Sequence, residues 1–196
     1  MLQVREDDAT AFEELMLRYQ GRVLSVLQHV VGNRDLAEDL TQDVFLRVFR
    51  ARKTYTPGSK FSTWLFTIAN NVALNAIRRQ QRKPERQFVS VGESSTSMLT
   101  IDSAVPENSA MMPTRQLDHQ ELRDTVRMAV DTLNENQRMA VMLNKFESMN
   151  YADIARVMKL TPQAVKSLLC RARANLRTVL EPYLERGQGL GDRDEG

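Results

Sequence analysis

Basic and hydrogen-bonding side chains recur along one stretch near the C-terminus. Lys166 and Cys170, like Ser167 and Arg171, are four positions apart, which places each pair on one side of a helix. Lysine, serine and arginine supply the hydrogen-bonding groups that read base edges in the major groove of DNA. The candidate duplex-binding residues of this stretch are Arg156, Gln163, Lys166, Ser167, Cys170, Arg171, Arg173 and Arg177.

Such a surface needs a helix whose opposite face is held in place. Asn150 can cap a short helix from Tyr151 to Met158, Lys159 and Leu160 supply a turn, and Thr161-Pro162 begins a second helix. The second helix has an apolar face opposite the basic one, consisting of Val165, Leu168, Leu169, Ala172, Leu176 and Leu180. This pattern predicts a helix-turn-helix. Two helices that meet at a short turn also occur in ordinary bundles, so spacing alone leaves that alternative open.

The charge is distributed unevenly along the chain. The 196 residues include 27 Lys or Arg and 25 Asp or Glu, a formal net charge of +2. Residues 154–180 nevertheless contain six basic side chains and no acidic one, and residues 41–86 contain ten basic side chains against two acidic ones. The chain therefore has two basic zones that could meet phosphate. The alternative is solvated helix faces balanced by acidic residues elsewhere.

A second group of candidate residues surrounds the loop at residues 55–60. Aromatic rings stack on unpaired bases and side-chain amides read base edges, so this segment is a candidate for binding single-stranded DNA. The alternative is that Trp64 and its apolar neighbours are core residues. The candidates are Tyr55, Lys60, Phe61, Trp64, Asn71, Asn75, Arg78 and Arg79.

Helical periodicity dominates the remaining sequence outside one central segment. Eight glycines and six prolines are few, and cap patterns occur at Thr10/Glu13, Asp35/Glu38 and Asn134/Gln137. From about residue 87 to 116 the periodicity disappears among Ser, Thr, Pro and Met. We predict an all-α protein of two small helical domains, residues 1–86 and 117–186, joined by an irregular linker at 87–116, with the helix-turn-helix in the second domain and a polar tail at 187–196.

Several function classes lack the residues that they need. Cys170 is the only cysteine, so a disulfide scaffold is excluded, and no apolar signal segment opens the chain, which predicts a cytoplasmic protein. The longest uncharged stretch, residues 61–77, is too short and too polar to span a membrane. Only His29 and His119 could join Cys170 at a metal site, and no nucleophile elbow or phosphate loop is present. We expect no cofactor, no metal and no enzymatic activity, and we interpret Cys170 as an interior or DNA-facing thiol rather than a redox switch.

Three stretches together resemble the extracytoplasmic-function group of bacterial sigma-70 factors, the subunits that give RNA polymerase its promoter specificity. They are residues 35–50 (DLAEDLTQDVFLRVFR), residues 61–71 (FSTWLFTIANN), and a third formed by Asp153-Ile-Ala, Ala164-Val-Lys-Ser and Arg171-Ala-Arg. They occur in the family's order. The resemblance implies a non-enzymatic initiation factor that binds core RNA polymerase, duplex promoter DNA and the melted non-template strand. It also implies an anti-sigma partner.

The resemblance assigns roles to particular positions. The helix at residues 35–50 would dock on the largest polymerase subunit through Asp39, Gln42, Asp43 and Phe45, unless Phe45 is simply core. Tyr55 and Asn71 would line a pocket for a flipped base of the minus-10 element, and Arg78 and Arg79 would hold phosphates. In the minus-35 reader, Lys166, Ser167, Cys170 and Arg171 would face bases, while Arg173 and Arg177 would lie nearer phosphate.

The sequence departs from the family pattern at several positions. Thr67 stands where the family commonly has Arg, Gln163-Ala164 where Gly-Thr is usual, and Leu168 where Arg is frequent. Thr67 removes a positive group near the minus-10 site. Leu168 falls on the core side of its helix, and the altered recognition helix leaves the minus-35 sequence undetermined.

The main rival is a stand-alone helix-turn-helix repressor, which needs a dimer surface and a palindromic site. The sequence shows no long heptad repeat or additional apolar face that would form such a dimer.

Overall fold

The computed structural model describes residues 1–58, 60–82 and 124–191, with side chains as far as Tyr183. Every regular element in these ranges is helical, which confirms the predicted all-α class. The elements are α1 (Leu2–Arg5), α2 (Ala9–Val31), α3 (Arg34–Arg50), a 3-10 turn (Arg52–Thr54), α4 (Phe61–Gln81), α5 (residues 124–131), α6 (Glu135–Lys145), α7 (Tyr151–Met158) and α8 (Pro162–Gly191).

Polar caps begin the helices of the C-terminal half where the sequence predicts them. Asn134 and Gln137 form a reciprocal capping box at the start of α6. Asn150 accepts a hydrogen bond from the Asp153 amide at 2.8 Å, and Thr161 accepts one from the Ala164 amide at 3.2 Å. These three predictions are confirmed, and the caps fix both helices of the helix-turn-helix.

The first two predicted cap pairs, Thr10/Glu13 and Asp35/Glu38, are wrong by two residues. The cap of α2 is Asp8, whose carboxylate accepts from the Ala11 amide at 3.0 Å, and the cap of α3 is Asn33, which accepts from the Leu36 amide at 2.8 Å. Both residues have the extended backbone that an N-cap requires. Gly32, in the left-handed region at φ 72°, ends α2 and places Asn33 at the start of α3.

The first module, residues 1–58 and 60–82, packs α2, α3 and α4 around an apolar core. Its fully buried side chains share the three- and four-residue spacing seen in the sequence and include Val23, Leu27, Val44, Val48, Leu65, Phe66 and Ala69. Burying a side chain of this size contributes about 1.5–3 kcal/mol before the entropy of folding is subtracted. The module therefore holds α4, which carries most of the predicted minus-10 residues, on a rigid base.

The second module, residues 124–191, contains the predicted helix-turn-helix. Ile154 on α7 and Val165, Leu169 and Ala172 on α8 are buried, so α8 is held by the apolar face that the sequence indicated. Lys159 adopts the left-handed conformation at φ 56° between α7 and α8. This residue ends α7 and turns the chain into the second helix of the motif.

The two modules pack against each other. Asn70 of α4 donates to the Val157 carbonyl of α7 at 3.3 Å, and Arg138 of α6 donates to the His29 carbonyl of α2 at 3.3 Å. Arg22 of α2 forms an ion pair with Glu147, which follows α6. Buried apolar residues of both modules belong to one continuous core.

Two predicted segments have different outcomes. The predicted linker at residues 87–116 lies outside the described residues. The polar tail predicted from Gly187 is wrong over its first part, because α8 continues to Gly191, and residues 192–196 lie outside the described residues. Glycine lowers helix stability by about 1 kcal/mol but does not remove a backbone donor as proline does, so Gly187 does not by itself end a helix. Within the described ranges, no helix is long and apolar enough to cross a membrane.

Candidate nucleic-acid and polymerase interfaces

Seven of the eight residues predicted to read duplex DNA lie on α8, and the eighth, Arg156, lies on α7. Ser167 is half-buried, and the other seven candidates are exposed: Arg156, Gln163, Lys166, Cys170, Arg171, Arg173 and Arg177. Leu168 is half-buried and packs against the core, which agrees with its predicted position on the inner side. The exposed side of α8 is therefore a basic, hydrogen-bonding ridge on a single helix, and the major groove admits one helix.

Most cations of this ridge are available to an external anion. Arg156 lies 3.5 Å from the carboxylate of Asp153, a buried residue. Lys166, Arg171, Arg173 and Arg177 form no ion pair with a described residue. Unpaired cations on one helix face concentrate positive potential there, which favours phosphate binding.

Tyr55 is buried, so its ring is not accessible for stacking on an unpaired base. It is 7% exposed, and its ring makes edge-on contacts with Trp64 at 5.1 Å and Phe61 at 6.1 Å between centroids. Phe61 also contacts the ring of Tyr19 at 5.2 Å. The ring of Tyr55 is thus part of the packed interior, whereas Phe61 and Trp64 are half-buried, and the cluster supports the exposed loop residues that follow Tyr55.

The remaining minus-10 candidates extend from this loop along α4. Phe61, Trp64 and Asn71 are half-buried, and the exposed candidates are Lys60, Asn75, Arg78 and Arg79. Thr67 donates its hydroxyl to the Thr63 carbonyl at 2.7 Å, so it adds a helix hydrogen bond rather than a charge at this surface. The structure therefore places Asn71, Arg78 and Arg79 on the same helix as the aromatic residues Phe61 and Trp64, which lie at its start.

Asn70 has a position that the sequence did not reveal. It is buried, and its amide nitrogen donates to the Val157 carbonyl. Its Oδ1 and the hydroxyl of Thr63 are also buried and have no hydrogen-bond partner among the described residues. Asn70 and Asn71 are adjacent and chemically identical, so local sequence could not distinguish the residue facing α7 from the residue beside it. A helix turns by about 100° per residue, which gives the two amides different surroundings.

The polymerase-binding candidates on α3 divide into surface and core. Asp39 and Gln42 are exposed, and the half-buried Asp43 accepts a hydrogen bond from Arg47 at 3.0 Å, which raises the pKa of Arg47 by favouring its charged form. Phe45 is 3% exposed and belongs to the core, so its ring offers no contact surface. The core alternative is the one that the structure bears out for Phe45.

Two exposed apolar residues on α3 were missed by the sequence analysis. Leu46 is 55% exposed, and Phe49 lies on the surface between the Phe12 ring, at 5.1 Å, and the Arg52 guanidinium, at 4.0 Å. Phe49 fits the apolar periodicity of α3 with Val44, Phe45 and Val48, whereas Leu46 lies on the other side of the helix. The sequence did contain a signal for exposed apolar residues, because α3 has more apolar residues than one helix face can bury.

The comparisons with known proteins match both modules in order. The family model of sigma-70 region 2 matches residues 15–83, and that of sigma-70 region 4 matches residues 123–176. The chain is 32% identical over 181 residues to the RNA polymerase sigma-H factor of Pseudomonas aeruginosa, with 92% of each chain covered. It is 30% identical over 183 residues to the ECF RNA polymerase sigma-E factor of Escherichia coli K12, with 93% of each chain covered.

Two solved structures with a similar fold are complexes of two proteins. One is the sigma factor RpoE in complex with the anti-sigma factor NepR from Bartonella quintana, with a TM-score of 0.65, 21% identity, and 88% of this chain and 98% of that chain covered. Another is CnrH in complex with the cytosolic domain of CnrY, with a TM-score of 0.61, 19% identity, and 92% and 94% covered. These similarities establish the fold.

The two matched regions and the curated relatives support a sigma factor rather than the stand-alone repressor considered from the sequence. The chain belongs to the extracytoplasmic-function group of the sigma-70 family and is a transcription initiation factor.

Proposed function

We propose that the two modules divide promoter recognition between them. The first module docks on core RNA polymerase through α3 and captures a flipped minus-10 base beside α4, and α8 of the second module reads the minus-35 element in the major groove. The observation that carries this proposal is the exposed ridge of α8, where Lys166 and Arg171 form no ion pair with a described residue and lie opposite an apolar face anchored by the buried Val165, Leu169 and Ala172. Neither step requires an enzymatic group or a cofactor, and both take place with the polymerase in the cytoplasm.

The base-capture step uses the surface at the start of α4. Thr56, Pro57, Gly58 and Lys60 are exposed above the buried ring of Tyr55. Extruding a base costs a few kcal/mol, which stacking of about 1–3 kcal/mol per base can offset. Trp64 and Phe61 are half-buried and remain partly accessible for stacking, and Asn71 supplies an amide for a base edge. Arg78 and Arg79 lie about two turns further along α4 and can bind phosphate.

The packed arrangement of the modules is incompatible with simultaneous promoter contacts. The Asn70–Val157 hydrogen bond places α4 directly against α7, and packed helix axes lie about 8–10 Å apart. Two promoter elements about two helical turns apart lie roughly 70 Å from each other. Polymerase must therefore separate the modules. About 30 linker residues, when extended, reach roughly 100 Å, which is sufficient.

We assign the packed form to the protein before it engages promoter DNA, and we propose that an anti-sigma protein stabilises this form. The sigma factor RpoE was solved in complex with the anti-sigma factor NepR, and CnrH in complex with the cytosolic domain of CnrY. On this chain, the exposed apolar residues Leu46 and Phe49 lie on the helix proposed to dock on polymerase. A partner that covers this surface would compete with polymerase directly.

The test is run-off transcription with core polymerase on promoter libraries, comparing Asn71→Ala and Arg171→Ala with Arg18→Ala. Arg18 is an exposed cation paired with Glu14 on α2 and serves as the control. Arg171→Ala should lose roughly 5- to 150-fold discrimination at the minus-35 element, the value of one good base contact. Asn71→Ala should lose promoter opening while keeping upstream selection. Transcripts unchanged by both variants would refute the site assignment.

A further inference from the structure

The N-terminal segment, residues 1–8, lies against the start of the loop that we assign to base capture. Val4 of α1 is 1% exposed and anchors the segment in the core of the first module. Beyond α1, Asp7 adopts a left-handed conformation at φ 66°, which turns the chain before α2 begins at Ala9. The segment precedes the sigma-70 region 2 match, which starts at residue 15.

Three polar contacts connect this segment to the first residue of the loop, Tyr55, and to Arg52 and Lys53 of the 3-10 turn that precedes it. Arg5 donates to the Tyr55 carbonyl at 3.4 Å. The Asp7 carboxylate lies 2.6 Å from the Arg52 guanidinium and 3.3 Å from the Lys53 ammonium group. These contacts include both a backbone carbonyl and two side chains, so they restrain the path of the loop rather than one exposed group.

Arg52 is the central residue of this contact. Its side chain is 18% exposed, it donates to the Phe49 carbonyl at 2.8 Å, and its guanidinium lies over the Phe49 ring. It therefore joins the end of α3, the 3-10 turn and Asp7. The hydrogen bonds with Arg52 and Lys53 lower the pKa of Asp7, so the carboxylate is charged at any pH at which transcription proceeds.

We propose that residues 1–8 form a brace that positions the base-capture loop, with Val4 as its anchor and Arg5 and Asp7 as positioning residues. This inference rests on the proposed role of that loop. The buried ring of Tyr55 holds the loop from inside, and the brace holds its backbone from outside. A loop freed from the brace samples more conformations, so the capture-competent one is less populated and binding of the flipped base weakens in proportion.

The test compares Asp7→Asn with Glu6→Gln in holoenzyme. Asparagine tolerates the left-handed conformation and has nearly the same shape as aspartate, so Asp7→Asn removes the charge with little backbone strain. Glu6 is exposed, precedes Asp7 directly, and loses the same charge in Glu6→Gln. Asp7→Glu is the conservative variant that retains the carboxylate.

The readouts separate opening from assembly. They are the rate of promoter opening, binding of a single-stranded minus-10 oligonucleotide, binding of a minus-35 duplex, affinity for core polymerase, and thermal unfolding. Asp7→Asn should reduce opening and oligonucleotide binding about 2- to 5-fold, the scale of one partly exposed ion pair. The double variant Arg5→Ala/Asp7→Asn should reduce the rate of opening and oligonucleotide binding about 10-fold each, if the losses at the contacts with Tyr55, Arg52 and Lys53 add. Duplex and core binding should stay at wild-type values, and Asp7→Glu should restore part of the loss.

Three results would overturn the brace, two directly and the third through the proposed function on which it rests. In one, Asp7→Asn and the double variant match Glu6→Gln in opening and oligonucleotide binding, while Asn71→Ala still abolishes opening; the brace then fails and the proposed base-capture site stands. In the other, core and duplex binding fall as much as opening, which marks a general loss of structure. If Asn71→Ala leaves opening unchanged, the proposed function of the loop fails first, and the brace fails with it.

Discussion

The ion pair between Arg22 and Glu147 offers a direct test of whether the two modules separate during function. Arg22 lies on α2 and Glu147 follows α6, and the guanidinium donates to both carboxylate oxygens, with Nε 3.2 Å from Oε1. The Glu147 side chain is only 3% exposed, whereas that of Arg22 is 43% exposed and also lies over the Tyr19 ring at 5.0 Å. Glu147 raises the pKa of Arg22 through this hydrogen bond, so Arg22 is charged throughout the working pH range.

Replacing Arg22 with Met should shift the protein towards separated modules. Removing one partner of a fully buried pair costs about 3–5 kcal/mol, because the other charge is left buried. An exposed pair contributes at most about 1 kcal/mol. Since Arg22 is partly solvated, we expect roughly 1–2 kcal/mol, which lowers the ratio of packed to separated protein about 5- to 30-fold.

The assay is the distance distribution between fluorophores on the two modules, measured on free protein with Cys170 replaced by Ser. Arg18→Met is the matched control, because Arg18 lies one turn before Arg22 and pairs with Glu14 within α2. The double variant Arg22→Met/Glu147→Gln removes both charges and should separate less than Arg22→Met alone, since no buried carboxylate remains. A distance distribution for Arg22→Met identical to that for Arg18→Met would refute the reasoning.

Three further predictions concern individual positions. Phe45→Ala should destabilise the first module by about 3–5 kcal/mol in thermal or denaturant unfolding, as expected for a buried ring. Leu46→Ala should leave the free energy of unfolding nearly unchanged but weaken binding to core polymerase. Equal destabilisation by the two variants would contradict the assignment of Phe45 to the core and Leu46 to the surface. The pKa of Asp7, measured by NMR, should lie below its ordinary value of 3.8. The contribution of Asp7 to folding stability is therefore present above pH 3.8 and is lost as the pH falls through the lowered pKa. A measured pKa at or above 3.8 would exclude the contact with Arg52 and Lys53. Asn70→Ala should increase the fraction of protein with separated modules and leave binding of the minus-10 oligonucleotide unchanged. Asn71→Ala should reduce binding of that oligonucleotide and leave the fraction with separated modules unchanged.

The sequence predicted those features that depend on short-range periodicity. The helix-turn-helix follows from the caps Asn150 and Thr161 and from the apolar spacing of Val165 and Leu169, all within 20 residues. Such signals identify a helix and its inner face, because both arise from the 3.6-residue repeat. The same signals located the helix starts less well where two polar residues compete to cap, as Asp8 and Thr10 do.

Burial within an apolar stripe could not be resolved from periodicity. Phe45 and Phe49 both satisfy the pattern of α3, yet one lies in the core and the other on the surface beside Arg52. Tyr55 presents the same difficulty, because an aromatic residue at a loop can stack on a ligand or pack under it. Tertiary neighbours decide these cases, and they lie up to 50 residues away in sequence.

Contacts between the modules were beyond sequence reasoning altogether. Arg22 and Glu147 are separated by 125 residues, and Asn70 and Val157 by 87. Neither pair has a local spacing that distinguishes it from the many other charged or amide side chains of the chain. Only the packed structure shows that these residues meet.

The chemistry of that interface suits a contact that must break. When the modules separate, the Asn70 amide and the Val157 carbonyl exchange their mutual hydrogen bond for bonds with water, so the net loss is only about 0.5–1.5 kcal/mol. The Oδ1 of Asn70, which is buried without a partner in the packed form, gains one on exposure and offsets part of that loss. Glu147 likewise regains hydration when Arg22 leaves. These polar contacts make the packed form specific and lose little free energy when they break, so most of the free energy that polymerase binding must supply comes from exposing the apolar core shared by the two modules.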